Sequence, residues 1–403
     1  YFIFFWNRWT CPVTAFLFDD AMDRLVNLDS SCDEYSIVIR CQYGMSCLMK
    51  IARRSLFGCA AATAALSGVA AMAEEPGVSS VVLPRLLNNH RVIVDTDPGN
   101  DDAIALLMAL SARNLSVEAV TVTPGNIGYA KELRNALYVV DLAGKSGQVP
   151  VHAGVPHPIL NRPYPAASFI HGPDGLGDVH VPDVKQKIDP EHAIDAMRRI
   201  VHAHPGEVVI LALGGLTNVA TALLRDPDMA HALKGIVFVG GSRSSPVPGF
   251  NAMVDPEAVS IVLGSGAPLV MFGGSLFSGT PQDPSLLVQA DYDRIAKMNT
   301  PRSRFFMASN KLRLTFEMKA RHAAGSVNAD PFAAAIVINP AIATQYEAVA
   351  MKVELDGSLT RGTMLFGDNR YNGEPTPPPN VNLCIGGSGE GFRKLLFETL
   401  EQS

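Results

Sequence analysis

The chain has 403 residues, 47% of them hydrophobic and 18% charged, and carries a formal charge of −6. Such a composition reads as a soluble globular protein long enough to bury a large core. A slightly acidic balance without a basic surface excludes nucleic acid as a partner. Of the six cysteines, Cys11, Cys32, Cys41, Cys47 and Cys59 precede residue 60, so the folded body holds the single thiol of Cys384 and no internal disulfide.

Two N-terminal segments are expected to stand outside the fold. Residues 1–48 start with Tyr1 rather than Met and match nothing downstream, so they read as an upstream extension before a start at Met45 or Met49. A small aromatic-rich module is the alternative, although a core that small is marginal. From Met49 follow Lys50, the pair Arg53-Arg54, an Ala-rich apolar run from Leu56 to Ala70, and Ala71-Met72-Ala73. A charged start, an apolar stretch and an A-x-A cleavage site make residues 49–73 an export signal, and the paired arginines suit a twin-arginine route to the bacterial periplasm. The Ala and Gly content makes that run a poor membrane anchor. Residues 74–403 then form one domain.

In that domain, apolar strands alternate with amphipathic helices. Strands read at Val92–Asp95, Val117–Thr123, Val208–Leu213, Gly235–Val239 and Leu269–Phe272, with late strands at Glu347–Glu354 and Val381–Leu383. Helices read at Asp101–Ala112, Tyr129–Ala143, Glu191–His204, Thr217–Leu224, Pro256–Ser265 and Pro331–Ile338. The alternation predicts an α/β fold, a mostly parallel central sheet covered by helices on both faces. Pro281–Arg321, rich in charge and helix signals, is expected to flank the mouth of a site. Thr376-Pro377-Pro378-Pro379 marks a rigid turn. The run Gly386-Gly387-Ser388-Gly389-Glu390-Gly391 lacks the Lys-Ser/Thr of a phosphate loop and the spacing of a dinucleotide fingerprint, so it reads as the start of a helix.

The richest chemistry follows the first strand of the domain. Asp95, Asp97, Asp101 and Asp102 place four carboxylates within eight residues around the Pro98-Gly99 turn. The C-terminal end of a strand is where open α/β sheets bind ligands. One acid in a helix's first turn merely complements the dipole, but Asp95 and Asp97 precede the helix. Like charges this close repel, and burying them is costly without a positive partner. No Lys or Arg lies inside the cluster, so a bound cation is the natural partner. Oxygen ligands favour a hard ion, Ca²⁺ or Mg²⁺.

Asp95-Thr96-Asp97-Pro98-Gly99-Asn100-Asp101-Asp102-Ala103 resembles the N-terminal signature of the inosine-uridine nucleoside hydrolases, enzymes that use Ca²⁺ to cut the N-glycosidic bond of ribonucleosides. The resemblance runs from about Arg91 to Leu400. It continues through Thr123-Pro124-Gly125-Asn126, the HGxDGLG-like loop His171-Gly172-Pro173-Asp174-Gly175-Leu176-Gly177, Leu213-Gly214-Gly215-Leu216-Thr217-Asn218 and Val239-Gly240-Gly241, and ends with Phe250-Asn251-Ala252-Met253-Val254-Asp255-Pro256-Glu257-Ala258. Six motifs in order are far more specific than any one. The first also resembles haloacid-dehalogenase-type phosphatases, but its Pro-Gly and double Asp do not suit that catalytic strand.

The resemblance implies Asp97, Asp102, Asp330 and the backbone carbonyl of Leu213 as Ca²⁺ ligands, with Asp97 also the catalytic base. Asp101, Asn126, Asn251 and Asp330 would meet the substrate's ribose. It further implies a nucleoside substrate, a role in purine or pyrimidine salvage, and a homo-oligomer, dimer or tetramer. Several positions depart from the pattern. Ala329 stands where the family commonly has a His that protonates the leaving base, Gly249 where it has a Glu, and Ser275 where it has an Asp. The loop Ser242–Pro248 is short. His171, His322 and Tyr371 are the candidates for a replacement acid. Two functions stay open: a Ca²⁺-dependent N-ribohydrolase, or a weakened relative that binds ribosides or related sugars without efficient turnover.

Overall fold

The computed structural model describes residues 14–17, 23–27, 34–40, 46–52 and 91–402, apart from His180, Ser242, residues 244–246, 274–275 and 368–377. The chain divides into two units, Tyr1–Val78 and Ser79–Ser403. In the first, β1 (Thr14–Leu17), β2 (Asp23–Asn27), β3 (Glu34–Arg40) and β4 (Ser46–Ala52) form an antiparallel meander in sequence order. β4 runs across the expected boundary at 48/49, and the rest of the expected export signal, from Arg53, lies outside the described residues.

The second unit carries an eight-stranded sheet. β5 (Arg91–Thr96) lies between β6 (Ser116–Val122) and β8 (Val208–Ala212), and β7 (Val151–Ala153) forms the edge beyond β6. Beyond β8 come β9 (Gly235–Val239), β10 (Leu269–Phe272), β14 (Val381–Gly387) and β11 (Ala343–Val349). Every pairing is parallel except that of β11 with β14. The chain builds outward from β5 through β6 to β7, then crosses back to β8 on its other side. That reversal opens a crevice at the C-terminal ends of β5 and β8, where a ligand site is expected.

Strand alternation feeds two cores. Val92 and Val94 pack with α1 (Asn100–Ser111), α2 (Tyr129–Leu142), α11 (Ala329–Ile338) and α12 (Gly389–Leu400), whereas Ile93 packs with α4 (Ala193–Ala203), α5 (Thr217–Arg225) and α8 (Pro256–Leu263). Helices therefore cover both faces, as the continuous apolar strands predict. α1 is buried from Asn100 to Leu110, and this pins its acidic first turn in place. Among the described residues no helix is long and apolar enough to cross a membrane. Cys384 is a buried free thiol.

One strand differs from expectation. Glu347–Glu354 is not continuous: β11 ends at Val349, and β12 (Met351–Val353) pairs instead with β13 (Met364–Phe366) in a separate ribbon. Asn380 explains the break. Its side chain accepts from Met351 N at 2.8 Å and donates to Met351 O at 3.0 Å, so it takes over backbone groups that a sheet neighbour would have used. The glycine run behaves as read: β14 extends through Gly387, and Ser388 caps α12 by accepting from Gly391 N. Residues 376–377 of the expected proline turn, with Tyr371 and Ser275, lie outside the described residues.

Candidate active site

Asp97 follows β5, Asp101 and Asp102 open α1, and Asp330 lies in the first turn of α11, a helix packed along α1. Carboxylate oxygens of Asp101, Asp102 and Asp330 come within 4.8 Å of one another. Asp97 is fully buried, and neither of its oxygens has a hydrogen-bond partner. A Cβ on Gly125 or Gly214 would overlap its carboxylate, so two backbones close in on Asp97 only because both residues are glycine.

Burial raises the carboxyls of Asp97 and Asp330 well above the ordinary range, and repulsion from neighbouring carboxylates adds to it. Asp102 is raised by burial and by Asp101, against Thr96 Oγ1 at 2.8 Å and Gly99 N at 3.2 Å, and it also accepts from Asn126 Nδ2 at 2.9 Å. No cationic side chain makes an ion pair with Asp97, Asp102 or Asp330 among the described residues. Orphaned buried oxygens of this kind fit a hard divalent cation.

Two members of the predicted cluster behave differently. Asp95 stands apart: its Oδ1 accepts from Thr121 Oγ1 at 2.6 Å and Asn218 Nδ2 at 2.8 Å, and burial pushes its carboxyl up to about 7. It braces β5 against β6 and α5. Asp101 does have a cationic partner, contrary to the expectation of a cluster free of Lys and Arg. Arg313, on α10 (Pro301–Ala320), places Nη2 2.7 Å from Asp101 Oδ2, with both side chains buried. Burial raises the Asp101 carboxyl, but Arg313, His171 and nearby backbone N–H groups outweigh it and leave the group below its ordinary value.

The other predicted residues also meet here. Asn126 donates to the Asp97 carbonyl at 3.0 Å as well as to Asp102, so its amide NH₂ orients acids rather than pointing into open space. Asn251 Nδ2 donates to Leu213 O at 2.5 Å, and that carbonyl keeps a second lone pair for a cation. Asp101, Asp102, Asn126, Leu213, Asn251, Ala329 and Asp330 line one cavity of about 480 Å³, within the range of small-molecule sites. Gly249 lines it too, and a Cβ there would sit 2.9 Å from Gly241 Cα, so the backbone itself excludes the side chain expected at that position.

Of the replacement acids, His322 is exposed and outside the cavity wall. His171 is buried in the wall, with Nδ1 2.8 Å from Asn100 Oδ1 and 3.3 Å from Asn100 N. Asn100 Nδ2 donates to Ile170 O and Ser309 O, which fixes the amide and makes Oδ1 the acceptor. Asn100 N–H donates to His171 Nδ1 at 3.3 Å, and with the Oδ1 contact it holds the ring in place. Burial, with help from Arg313, lowers the ring to about 4 despite Asp101. At neutral pH His171 has no acidic proton to spare.

Sequence reasoning missed Arg313, Asn100 and Glu132. Glu132, buried on α2, accepts from Ile127 N at 2.9 Å and Gly128 N at 3.1 Å, and so supports the loop that carries Asn126. A Glu three residues into a helix signals such a loop contact, but nothing local signals Arg313, 213 residues from Asn100. Asp255 of the Asp-Pro-Glu-Ala segment lies outside the cavity and caps α8, accepting from Ala258 N at 3.1 Å. The helical flank expected over Pro281–Arg321 does reach the cavity through Arg313, Glu317 and Arg321.

An open, mostly parallel sheet with uncompensated carboxylates at its reversal point defines an α/β protein with a metal-competent small-molecule site. The family described as inosine-uridine preferring nucleoside hydrolase matches residues 92–394. The inosine-uridine preferring nucleoside hydrolase of Crithidia fasciculata is 34% identical over 319 residues, covering 77% of this chain and 98% of the relative. A pyrimidine-specific ribonucleoside hydrolase of Photobacterium profundum is 31% identical, covering 77% and 98%. Among solved structures, a plant nucleoside hydrolase superposes with a TM-score of 0.71 at 29% identity, covering 78% of this chain and all of the other. The purine-preferring ribonucleoside hydrolase of Gardnerella vaginalis gives 0.68 at 27%, covering 77% and 98%. The chain belongs to the inosine-uridine preferring nucleoside hydrolase family, and with it to the hydrolases that act on N-glycosyl bonds.

Proposed function

We propose that the chain hydrolyses the N-glycosidic bond of ribonucleosides with Ca²⁺ held by Asp97, Asp102, Asp330 and the Leu213 carbonyl. The observation that carries this reading is the Asp97 carboxylate, fully buried with both oxygens unpartnered beside two other raised carboxyls. When bound, the cation supplies Lewis-acid polarisation of water and of sugar hydroxyls. Asp97 takes the water's proton at its carboxylate, and the acidic wall stabilises positive charge developing on the ribose ring. Asp101 and Asn251 hold ribose hydroxyls. Export by residues 49–73, with cleavage after Ala73, belongs to the same proposal and rests on the sequence alone.

Ala329 supports a second reading, riboside binding with weak turnover. It lines the cavity and cannot donate a proton, and neutral His171 does not replace it. Calorimetry with Ca²⁺ followed by a substrate panel separates the two. On the first reading ordinary nucleosides and an activated riboside, whose leaving group needs no proton, both turn over. If leaving-group acid catalysis is lost, the activated substrate is favoured, and Ala329→His raises the rate on ordinary nucleosides by about 10²–10⁴-fold. Ca²⁺ binding with silence on every riboside establishes the second reading; no heat with Ca²⁺ overturns the metal site.

A further inference from the structure

Arg313 makes three contacts from a buried position. Its Nη2 meets Asp101 Oδ2 at 2.7 Å, its Nε donates to Asn100 Oδ1 at 3.0 Å, and its Nη1 donates to Val327 O at 3.0 Å. The planar fork thus ties the first turn of α1 to the segment that leads into Asp330. Lysine, a point charge on a flexible stem, could not reproduce that geometry. Arg313 also contributes to the cavity wall.

The consequence falls on Asp101. With Oδ2 occupied, its Oδ1 is buried and has no hydrogen-bond partner. Arg313 already supplies a positive charge, so what Oδ1 lacks is a donor. His171 Nδ1, 3.7 Å away, is too far to serve. Asp101 lines the cavity, and a carboxylate with one oxygen fixed by a guanidinium and the other buried without a partner is an acceptor held ready for a substrate hydroxyl. The remaining acids of the cluster are left for the cation.

We infer that Arg313 is a positioning residue: by clamping Asp101 Oδ2 it aims Asp101 Oδ1 at one ribose hydroxyl, and so sets the preference for ribosides over deoxyribosides. This inference rests on the riboside reading and adds to it the residue that divides the acids between sugar and metal.

The test uses the full chain with Ca²⁺, an activated aryl riboside, and its 2′-deoxy and 3′-deoxy counterparts. For Arg313→Met, kcat/KM on the riboside should fall about tenfold to hundredfold, mainly through KM, the range expected when a hydrogen-bonded charge is no longer oriented. On the deoxyriboside that lacks the hydroxyl held by Asp101, wild type and variant should be nearly equal. Arg313→Lys, which keeps the charge and spares the fold, should show the same ribose-dependent loss in smaller measure. Ca²⁺ affinity should change far less than KM. Equal losses on riboside and deoxyriboside, in either variant, would overturn the inference, since a merely structural role weakens all substrates alike. If wild type binds Ca²⁺ yet hydrolyses no riboside, the turnover reading fails by itself. The same riboside–deoxyriboside contrast, measured as binding by calorimetry, then decides the role of Arg313.

Discussion

The cavity's two walls keep charge underground by opposite means. On one side, Asp102 and Asp330 line the cavity and Asp97 is buried beside them, with hydrogen-bond donors for Asp102 and no ion-pair partner for any of the three among the described residues. On the α10 side, Arg313 pairs with Asp101 and Arg321 with Glu317. The first wall holds acids without counter-charges, as a cation site would. The second supplies its own counter-charges, so its acids are free to orient rather than to ligate. Whether a buried acid waits for a metal or for a hydroxyl is decided by its neighbours, not by its residue type.

The most severe way to break that contrast is to remove an acid from the uncompensated wall. Asp102→Ala should abolish the calorimetric Ca²⁺ signal and lower hydrolysis by about 10²–10³-fold, the scale of losing one electrostatic stabiliser in a water-excluded site. The Thr96 hydroxyl, the Asn126 amide and Gly99 N–H would lose their shared acceptor as well. Retained Ca²⁺ binding in that variant would show that the wall is not the metal site.

What was legible in the sequence divides along the same line. The strands and the β5–α1 turn could be read because their signals are contiguous: an apolar run, Pro-Gly, then paired acids above a helix buried all round. Gly235–Val239 and Leu269–Phe272 fall where continuous apolar residues put them. Asp330 was reachable only through resemblance. Arg313 was not reachable at all, because an arginine on a charged helix looks like any solvated one until the fold carries it to Asp101. For the same reason the cluster read as free of positive charge. Asp95 was counted with its neighbours because spacing cannot show that Thr121 and Asn218 take it elsewhere.

A smaller effect is expected from pH. Folding raises the carboxyls of Asp97, Asp102 and Asp330, and brings Asp95 and Glu132 to about 7 through burial. For an acid raised above its unfolded value, stability is fully present below that value, near 4, and is lost as pH climbs through the folded one. His171, lowered to about 4, works the other way, since its contribution is lost as pH falls from about 6.5. Five acids outweigh one imidazole. Chelator-treated protein should therefore melt higher at pH 5 than at pH 8, and the gain on adding Ca²⁺ should be larger at pH 8. A chelated protein that melts highest at pH 8 would mean that the acids find compensation within the chain.

The mildest test concerns the self-compensated wall. Glu317 is buried, while the side chain of its partner Arg321 is 57% exposed, at 3.1 Å. Burial raises the Glu317 carboxyl, and Arg321 and Arg313 oppose the rise. Taking Arg321 away in Arg321→Gln removes one opposing charge and lifts that carboxyl further. At the lower pH the group then takes up a proton more readily instead of remaining a buried, weakly paired anion. At pH 8 staying ionised costs more. The variant should thus lose less stability near pH 5 than at pH 8 in paired thermal melts. Ca²⁺ affinity should not move, since Arg321 pairs with none of the uncompensated acids. A loss independent of pH would show that Arg321 supports this wall through packing over the Phe316 ring, 5.4 Å from its guanidinium, rather than through charge.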